Sequence, residues 1–257
     1  MAERAARLEL VPAVTAAQMR EVDPIMVEDL RISLLQMMEN AGRAFAELTR
    51  VHLSGVRRRR VAVLAGRGGN GGGGMAAARR LAIWGAEVRV VLAHPDGNLA
   101  EAPARQLRTL RAIDVPVHRP AEAATLLHEA DLVLDALLGY SLLSSPREPE
   151  AGLIRFANLN STPILALDLP SGLDPDTGVP GDPTIRAART LALGLPKVGL
   201  LQAAAAGWVG ELWLADISIP TRAYAAVGVA PGPLFAESDL VRVARPGERG
   251  SPRRGSP

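Results

Sequence analysis

The sequence feature that most constrains the fold is a glycine stretch, residues 66–74, which lies between an apolar run and an alanine-rich segment. Residues 61–65 are all apolar and are typical of a strand buried on both faces of a parallel sheet. Residues 75–85 are rich in alanine and have high helix propensity. This order predicts a strand, a glycine loop and a helix whose N-terminus faces that loop.

A loop of this kind predicts a site for a phosphate or pyrophosphate. The first backbone N–H groups of a helix have no partner within the helix, and the helix dipole adds partial positive charge there. Because glycine has no Cβ, a phosphate can approach the backbone closely. The alternative interpretation is a tight turn that binds nothing.

Two common nucleotide-binding patterns fit the glycine stretch poorly. Gly66, Gly68 and Gly71 satisfy the G-x-G-x-x-G spacing of dinucleotide-binding folds. Those folds also need an acidic residue at the end of the next strand to hold the ribose, whereas this strand is followed by His94. No Lys-Ser or Lys-Thr pair follows the glycines, which excludes a P-loop. An ordinary NAD-dependent oxidoreductase is therefore disfavoured.

The rest of the chain alternates between apolar runs and amphipathic segments, which predicts an α/β fold with a mostly parallel central sheet covered on both faces. Further strands are predicted at residues 87–92, 115–118, 131–135, 163–168, 189–193 and 210–216. Two helices precede the first strand and form an N-terminal helical extension. The predicted domain is 15–244, between an N-terminal arm, 1–14, and a disordered tail, 245–257, that has few apolar residues.

Composition and charge exclude several classes of function. The net charge of +2 gives no argument for nucleic-acid binding. The absence of cysteine excludes disulfides, thiolate catalysis and zinc–sulfur sites. No apolar run approaches the roughly 20 residues of a membrane span, and no secretory signal is recognisable at the N-terminus. We therefore expect a cytoplasmic protein that binds neither membranes nor nucleic acid.

Three predicted strands are followed by residues that can carry chemistry. In parallel sheets ligands gather beyond the carboxyl ends of the strands, so residues 66–74, 135–145 and 168–172 should line one edge. Asp168 ends an apolar strand, and a carboxylate at such a place suits proton transfer. Asp135 also closes a strand, where it either contributes to the site or caps a helix.

Two further polar positions leave alternatives open. Lys197 is the only lysine among 29 basic residues, and it follows a strand toward the same edge. It either contacts phosphate or backbone groups, as a compact ammonium can, or has no role there. Glu39 and Asn40 on the second helix either form a solvated face or stand beside the glycine stretch.

Several motifs, taken in order, resemble the YjeF N-terminal domain family over residues 16–220. These motifs are residues 19–23, 38–42, 66–74, 135–139, 167–172, 194–200 and 209–217. The resemblance implies a Rossmann-like three-layer α/β/α sandwich that forms a homodimer. It also implies an NAD(P)H-hydrate epimerase, an isomerase that interconverts the R and S forms of hydrated NADH and NADPH. Some family members are fused to a dehydratase, so a separate dehydratase is the expected functional partner.

The resemblance also implies roles for individual residues. Asp168 matches the catalytic aspartate. Asn70, Asp135 and Ser171 match the ligands of a potassium ion. The positions that match substrate-binding loops are Gly69, Asn70, Gly71, Gly72, Gly73, Gly139, Tyr140, Ser141, Leu142, Leu143, Ser144 and Ser145. We add Asp168 and Lys197 as candidate substrate contacts.

The chain departs from the family pattern at a few positions. Gly69 replaces an asparagine and Gly73 replaces an aspartate of the usual glycine stretch, and Tyr140-Ser141 stands where Thr-Gly is usual. These departures give weight to an alternative, a non-catalytic module for dimerisation or for binding a ligand, RNA or protein. Asp168 is retained, which favours the enzyme.

Overall fold

The structure is a computed structural model and describes residues 5–7, 11–141 and 144–244. The predicted tail at 245–257 and the candidate residues Leu142 and Leu143 lie outside the described residues. The strands are β1 (Ala5–Arg7), β2 (Arg60–Ala65), β3 (Glu87–Leu92), β4 (Val117–His118), β5 (Leu132–Ala136), β6 (Ile164–Leu167), β7 (Arg189–Leu193), β8 (Glu211–Ala215) and β9 (Leu240–Ala244). The helices are α1 (Ala16–Pro24), α2 (Leu34–His52), α3 (Gly69–Ile83), α4 (Glu101–Ala112), α5 (Ala123–Glu129), α6 (Glu150–Leu159), α7 (Ala206–Val209) and α8 (Thr221–Ala226).

Within the described residues, nine strands form one sheet in the order β1-β9-β8-β7-β6-β5-β2-β3-β4. All neighbouring strands are parallel except β8 and β9. The mostly parallel sheet confirms the predicted fold class. β1 and β9 were not expected from the sequence. They form one margin of the sheet, where β9 pairs with β8 and β1 pairs with β9.

Helices cover both faces of the sheet, which gives the three layers that the family resemblance implies. Alternate residues of β2 point to opposite faces. Val61 and Val63 pack in the cluster that contains α2, α3 and α4, whereas Ala62 and Leu64 pack in the cluster that contains α5 and α6. Because both faces are buried, β2 is apolar along almost its whole length.

The glycine stretch differs from the prediction, since α3 begins within it at Gly69 rather than after it. The glycines are required because the helix packs very closely against its surroundings. A Cβ added to Gly71 would lie 1.9 Å from the backbone oxygen of Gly66, and one added to Gly74 would lie 2.4 Å from Ala136 Cβ. Tertiary packing thus overrides the low helix propensity of glycine.

The N-terminal helical extension is present as predicted. Thr15 and Ser33 both form capping boxes, at the starts of α1 and α2. Ahead of α1, Val14 pairs in parallel with Lys197 in the segment after β7. The extension is therefore joined directly to the edge of the sheet where candidate site residues lie.

The chain reverses its direction of travel across the sheet between β2 and β5. From β2 it proceeds outward to β3 and β4, and from β5 it proceeds the other way to β6, β7 and β8. In doubly wound folds the crevice beyond the carboxyl ends of such strands is where ligands bind. No helix among the described residues has the length and apolar character that a membrane crossing requires.

Candidate functional site

A cleft of about 1080 Å³ lies beyond the carboxyl ends of β2 and β5, at the reversal point of the sheet. Residues from all three predicted strand-end segments line it. These include Gly69, Asn70, Gly139, Tyr140, Ser141, Ser144, Ser145 and Asp168, and Lys197 also lines it. A volume of this size accommodates a nucleotide-sized ligand.

Close backbone contacts bring the strand-end segments together. A Cβ added to Gly66 would lie 1.9 Å from the backbone oxygen of Leu137, so these two chain segments nearly touch. The Asn70 side chain donates a hydrogen bond from Nδ2 to the backbone oxygen of Leu138, at 3.0 Å. A Cβ added to Gly139 would lie 3.3 Å from Asp168 Oδ2 and 3.6 Å from Asn70 Cβ. The expected meeting of the three segments at one edge is therefore confirmed.

Asp168 directly follows β6 and has the left-handed backbone conformation, with φ of 70°. Few residue types other than glycine adopt this conformation, and aspartate and asparagine are among them. The Asp168 N–H donates to the backbone oxygen of Leu191 at 2.7 Å, which fixes the turn. The side chain is only 6% exposed. Residues other than glycine that adopt the left-handed conformation are often found at functional sites.

The Asp168 carboxylate has a hydrogen-bond donor on each oxygen. Lys197 donates from Nζ to Oδ1, and the Tyr140 backbone N–H donates to Oδ2 at 3.2 Å. The Lys197 side chain is 1% exposed, so the ion pair is buried. A buried pair of this kind is satisfied only when both partners are present. Lys197 thus lies at the predicted edge and contacts a carboxylate of the chain itself.

Asp135 and Ser171 form a buried polar cluster beneath the cleft. Asp135 accepts hydrogen bonds from the Ser171 hydroxyl at 2.7 Å, the Ser171 N–H at 2.8 Å and the Leu137 N–H at 3.2 Å. Burial raises the pKa of Asp135 to about 6, even though these hydrogen bonds favour the ionised form. The side chain contacts the segment after β6 and caps none of the helices that the structure describes.

Asn70 carries an unsatisfied acceptor next to this cluster. Its Oδ1 is buried and accepts no hydrogen bond from any of the described residues. Leu138 links the two groups, since its N–H donates to Ser171 Oγ at 2.9 Å and its oxygen accepts from Asn70. A buried oxygen without a donor suits a hard cation, which prefers oxygen ligands. Among the described residues no group of three or more histidine and acidic side chains could hold a metal ion.

The glycine stretch contributes to the cleft only at its beginning. Gly68, Gly69 and Asn70 line the cleft at the N-terminus of α3, where backbone N–H groups lack partners within the helix. The three following glycines pack elsewhere. Gly72 lies against Met38 of α2 and Gly73 against Leu167 of β6, while Gly71 lies against Gly66. These three glycines allow α3 to pack closely and do not line the cleft.

Some residues of the cleft were not foreseen. Asp23 of α1 lines it and accepts a hydrogen bond from the Tyr140 hydroxyl. His94 and Glu150 also line it, and His94 Nε2 lies 2.5 Å from Glu150 Oε1. Residues 19–23 matched a family motif, which was the signal for Asp23. The His94–Glu150 contact joins the end of β3 to the start of α6 and has no local sequence signal.

Glu39 and Asn40 contact neighbouring elements and do not line the cleft. Glu39 accepts hydrogen bonds from Arg79 of α3 and from Gln106 of α4, the latter at 3.0 Å. Burial opposes ionisation of Glu39, but the bonds from Gln106 and Arg79 outweigh it and hold the pKa below its usual value. Asn40 donates to the backbone oxygen of Ile217 at 3.4 Å. Both residues therefore join elements of the fold.

Comparison with known proteins identifies a family model and several relatives that resemble this chain. The family model of the YjeF-related protein N-terminus matches residues 34–199. An NAD(P)H-hydrate epimerase of Dehalogenimonas lykanthroporepellens is 44% identical over 222 residues, which is 86% of this chain and 88% of that protein. A bifunctional NAD(P)H-hydrate repair enzyme of Pyrobaculum aerophilum is 37% identical over 90% of this chain, which spans 46% of that enzyme. The crystal structure of a yeast protein aligns with a TM-score of 0.77 over 90% of this chain and 100% of its own, at 24% identity, which supports the fold.

Proposed function

The chain belongs to the family of YjeF-related proteins, and from that premise we propose that it is an NAD(P)H-hydrate epimerase. The reaction interconverts the R and S forms of hydrated NADH and NADPH, in which water has added to the nicotinamide ring. The observation that carries the proposal is Asp168, a buried carboxylate that lines the same nucleotide-sized cleft as the N-terminus of α3.

We propose Asp168 as the acid and base of the reaction. The epimerising carbon bears a hydroxyl beside the ring nitrogen. Asp168 in its protonated form donates a proton to this hydroxyl, the C–O bond breaks, and water leaves while the nitrogen lone pair stabilises the ring cation. Water then adds to the opposite face, and its proton returns to the carboxylate. Atoms and charge balance, since one water leaves, one water adds, and the proton is returned.

We propose that Lys197 supplies the proton with which Asp168 begins this cycle. Its ammonium is hydrogen-bonded to Asp168 Oδ1 in a buried site, so a proton can pass between the two groups along that bond. Proton transfer within the pair converts a carboxylate and an ammonium into a carboxylic acid and an amine. The acid form is the donor for the leaving hydroxyl.

The N-terminus of α3 is proposed to hold the substrate's phosphate groups. Gly69 and Asn70 present backbone N–H groups to the cleft, and the helix dipole adds positive charge there. Ser141, Ser144 and Ser145 line the cleft and offer hydroxyl groups for hydrogen bonds to the substrate. Binding of the nucleotide part in this way fixes the nicotinamide ring near Asp168.

We propose that Asn70, Asp135 and Ser171 hold a potassium ion. The Oδ1 of Asn70, which is buried and has no partner within the described part of the chain, supports this assignment, because a cation would satisfy it. The Asp135 carboxylate, bonded to Ser171, supplies negative charge close by. When bound, the ion would contribute positive charge that attracts the substrate's phosphate oxygens.

The assembly and cellular setting follow from the same proposal. We propose a cytoplasmic homodimer that works with a separate dehydratase. The Pyrobaculum relative supports the pairing, because it is named as a bifunctional repair enzyme and this chain spans 46% of it. Light scattering measures the mass of the purified chain in solution. We expect the mass of a dimer, and the mass of a monomer would contradict the proposal.

The test of the proposed function follows the epimerisation of hydrated NADPH and hydrated NADH. A purified single epimer is incubated with the protein in water enriched in oxygen-18, and both the R-to-S ratio and the isotope content are measured. We expect rapid epimerisation in which each conversion incorporates solvent oxygen. A protein that does not accelerate epimerisation, but is stabilised thermally by RNA or another ligand, would instead be a non-catalytic binding module.

A further inference from the structure

A second polar contact, which is partly buried, lies beside the Asp168–Lys197 pair and has no part in the proton transfer described above. The hydroxyl of Tyr140 donates a hydrogen bond to Asp23 Oδ2. Asp23 belongs to α1, whereas Tyr140 lies in the segment that follows β5. The contact therefore joins the N-terminal helical extension to the sheet edge that carries Asp168.

Tyr140 contacts the Asp168–Lys197 pair with two other parts of the residue. Its backbone N–H donates to Asp168 Oδ2 at 3.2 Å, while Lys197 donates to the other carboxylate oxygen. Lys197 Nζ also lies 5.3 Å from the centre of the Tyr140 ring, within the range of a cation–π interaction. Tyr140 thus contacts both charged groups of the ion pair.

Backbone contacts hold α1 in place on both sides of Lys197. The Val14 N–H donates to the oxygen of Pro196 at 3.0 Å, and the Val198 N–H donates to the oxygen of Val14 at 3.0 Å. α1 begins two residues after Val14, and Asp23 follows about two turns later on the same helix. The position of Asp23, and hence of the Tyr140 hydroxyl, is therefore fixed relative to Lys197.

The Asp23–Tyr140 contact also satisfies a carboxyl group in a poorly solvated place. Burial raises the pKa of Asp23, while the Tyr140 hydrogen bond and the charge of Lys197 act in the opposite direction. An acceptor buried without a donor would cost free energy. The contact is therefore a stable one that can determine where the Tyr140 ring lies.

We infer that Asp23 and Tyr140 are positioning residues, which hold the Lys197 ammonium and the Asp168 carboxylate in the arrangement that proton transfer requires. The inference rests on the proposed function, because it assigns Asp168 as the acid and base. Asp23 acts through the Tyr140 hydroxyl, and Tyr140 acts through its ring and its N–H. Misplacing a proton-transfer group slows the chemical step more than it weakens binding, so the effect should fall on kcat.

The test is a double-mutant cycle with Tyr140→Phe and Asp23→Ala, measured as kcat and KM for epimerisation. Each single variant should lose about 10-fold in kcat, since one hydrogen bond to a charged group is worth that factor, with KM changed less than about threefold. The double variant should lose much less than the product of the two single losses, because Asp23 acts mainly through the Tyr140 hydroxyl. Thermal unfolding of each variant establishes that it is folded at the assay temperature.

Two further variants keep the test decisive if Asp23→Ala does not fold. Asp23→Asn retains an acceptor for the Tyr140 hydroxyl and should keep more activity than Tyr140→Phe. Tyr140→Leu removes the ring over Lys197 as well as the hydroxyl and should be slower than Tyr140→Phe.

Three results would overturn the inference while leaving the epimerase intact. They are an unchanged kcat in Tyr140→Phe, losses that multiply in the double variant, and a loss confined to KM. A wild-type protein without epimerase activity would instead overturn the proposed function, so the two failures are distinguishable.

Discussion

Lys197 donates a hydrogen bond to Asp168 at a place where both side chains are almost completely buried, 1% and 6% exposed. The two residues come from segments that follow neighbouring strands, β6 and β7, and meet because those strands are parallel. A buried ion pair of this kind contributes little net stability, because the cost of desolvating the two charges offsets their attraction. Its effect is to hold the two charged groups in a defined arrangement. It places a proton donor and a proton acceptor against each other at the floor of the cleft.

Removing one partner of this pair should destabilise the fold more than removing both. Asp168→Asn leaves the buried Lys197 ammonium without a carboxylate and should lower the free energy of unfolding by on the order of 3 kcal/mol. Asp168→Asn with Lys197→Met replaces the pair by uncharged groups and should recover most of that loss. Urea unfolding measures both.

The matched control for these variants is Asp114→Asn. Asp114 is exposed and also has a left-handed backbone, with φ of 57°, so the control repeats the same substitution at a position with no charged partner among the described residues. It should leave the free energy of unfolding within about 0.5 kcal/mol of the wild type. A double variant as unstable as Asp168→Asn alone would contradict the account of the pair.

Two glycines of the glycine stretch should respond oppositely to alanine. In Gly71→Ala the new Cβ would lie 1.9 Å from the Gly66 oxygen, which is backbone and cannot move aside, so we expect a loss on the order of 3 kcal/mol. In Gly69→Ala nothing lies within 4 Å of the new Cβ, so stability should be unchanged or rise by up to about 1 kcal/mol. Equal effects in urea unfolding would contradict the close packing of α3.

The sequence predicted most of the sheet because its central strands are buried on both faces and therefore apolar along their length. It also predicted that the residues after β2, β5 and β6 would meet, since that follows from parallel topology alone. It placed the start of α3 too late, because the glycines are fixed by contacts with Gly66, Met38 and Ala136 that no local propensity reports.

Other features of the site depend on contacts between residues that are distant in sequence. The Tyr140–Asp23 bond joins positions 117 apart, and the Glu39–Gln106 bond joins positions 67 apart. No pattern of spacing within one element could indicate such pairs. Likewise β9 pairs with β1 from the other end of the chain, which sequence periodicity did not indicate.

Glu39 should stabilise the fold in a pH-dependent way. Its folded pKa lies below the ordinary 4.5, so its contribution is complete above pH 4.5 and is lost as the pH falls through the folded pKa. Glu39→Gln should cost about 1 kcal/mol at pH 7, a value reduced by screening because the side chain is 34% exposed. That difference should be smaller at pH 3, because this pH lies below the ordinary pKa of 4.5 and the contribution falls from there toward the folded pKa.

The control for Glu39→Gln is Glu47→Gln on the same helix. Glu47 pairs with Arg50, whose side chain is 54% exposed, and this variant should change stability by less than about 0.5 kcal/mol. Chemical unfolding at pH 7 and pH 3 provides the comparison. A Glu39→Gln deficit that persists unchanged at pH 3 would show that packing, and not the carboxylate charge, joins α2 to α3 and α4.

Potassium should raise the thermal stability through Asn70. At constant ionic strength, replacing choline chloride by potassium chloride at ten times the dissociation constant stabilises by about 1.4 kcal/mol, or roughly 3–6 °C in Tm for a chain of this size. Asn70→Ala should abolish the response, because it removes the buried Oδ1. Asn98→Ala, at an exposed position, should keep it. A wild-type Tm that does not change when potassium replaces choline would contradict the proposed cation site.

The most direct test of the account is the rate of R-to-S conversion of hydrated NADPH by Asp168→Asn compared with wild type and Asp114→Asn. Asparagine keeps the left-handed backbone of Asp168 but cannot give or retake a proton. We expect kcat to fall by about 10²–10⁴-fold, with KM within a few-fold of the wild type, and Asp114→Asn to be fully active. The same loss should appear in the variant that carries both Asp168→Asn and Lys197→Met. An Asp168→Asn protein that epimerises hydrated NADPH at the wild-type rate would contradict the assignment of Asp168 as the acid and base.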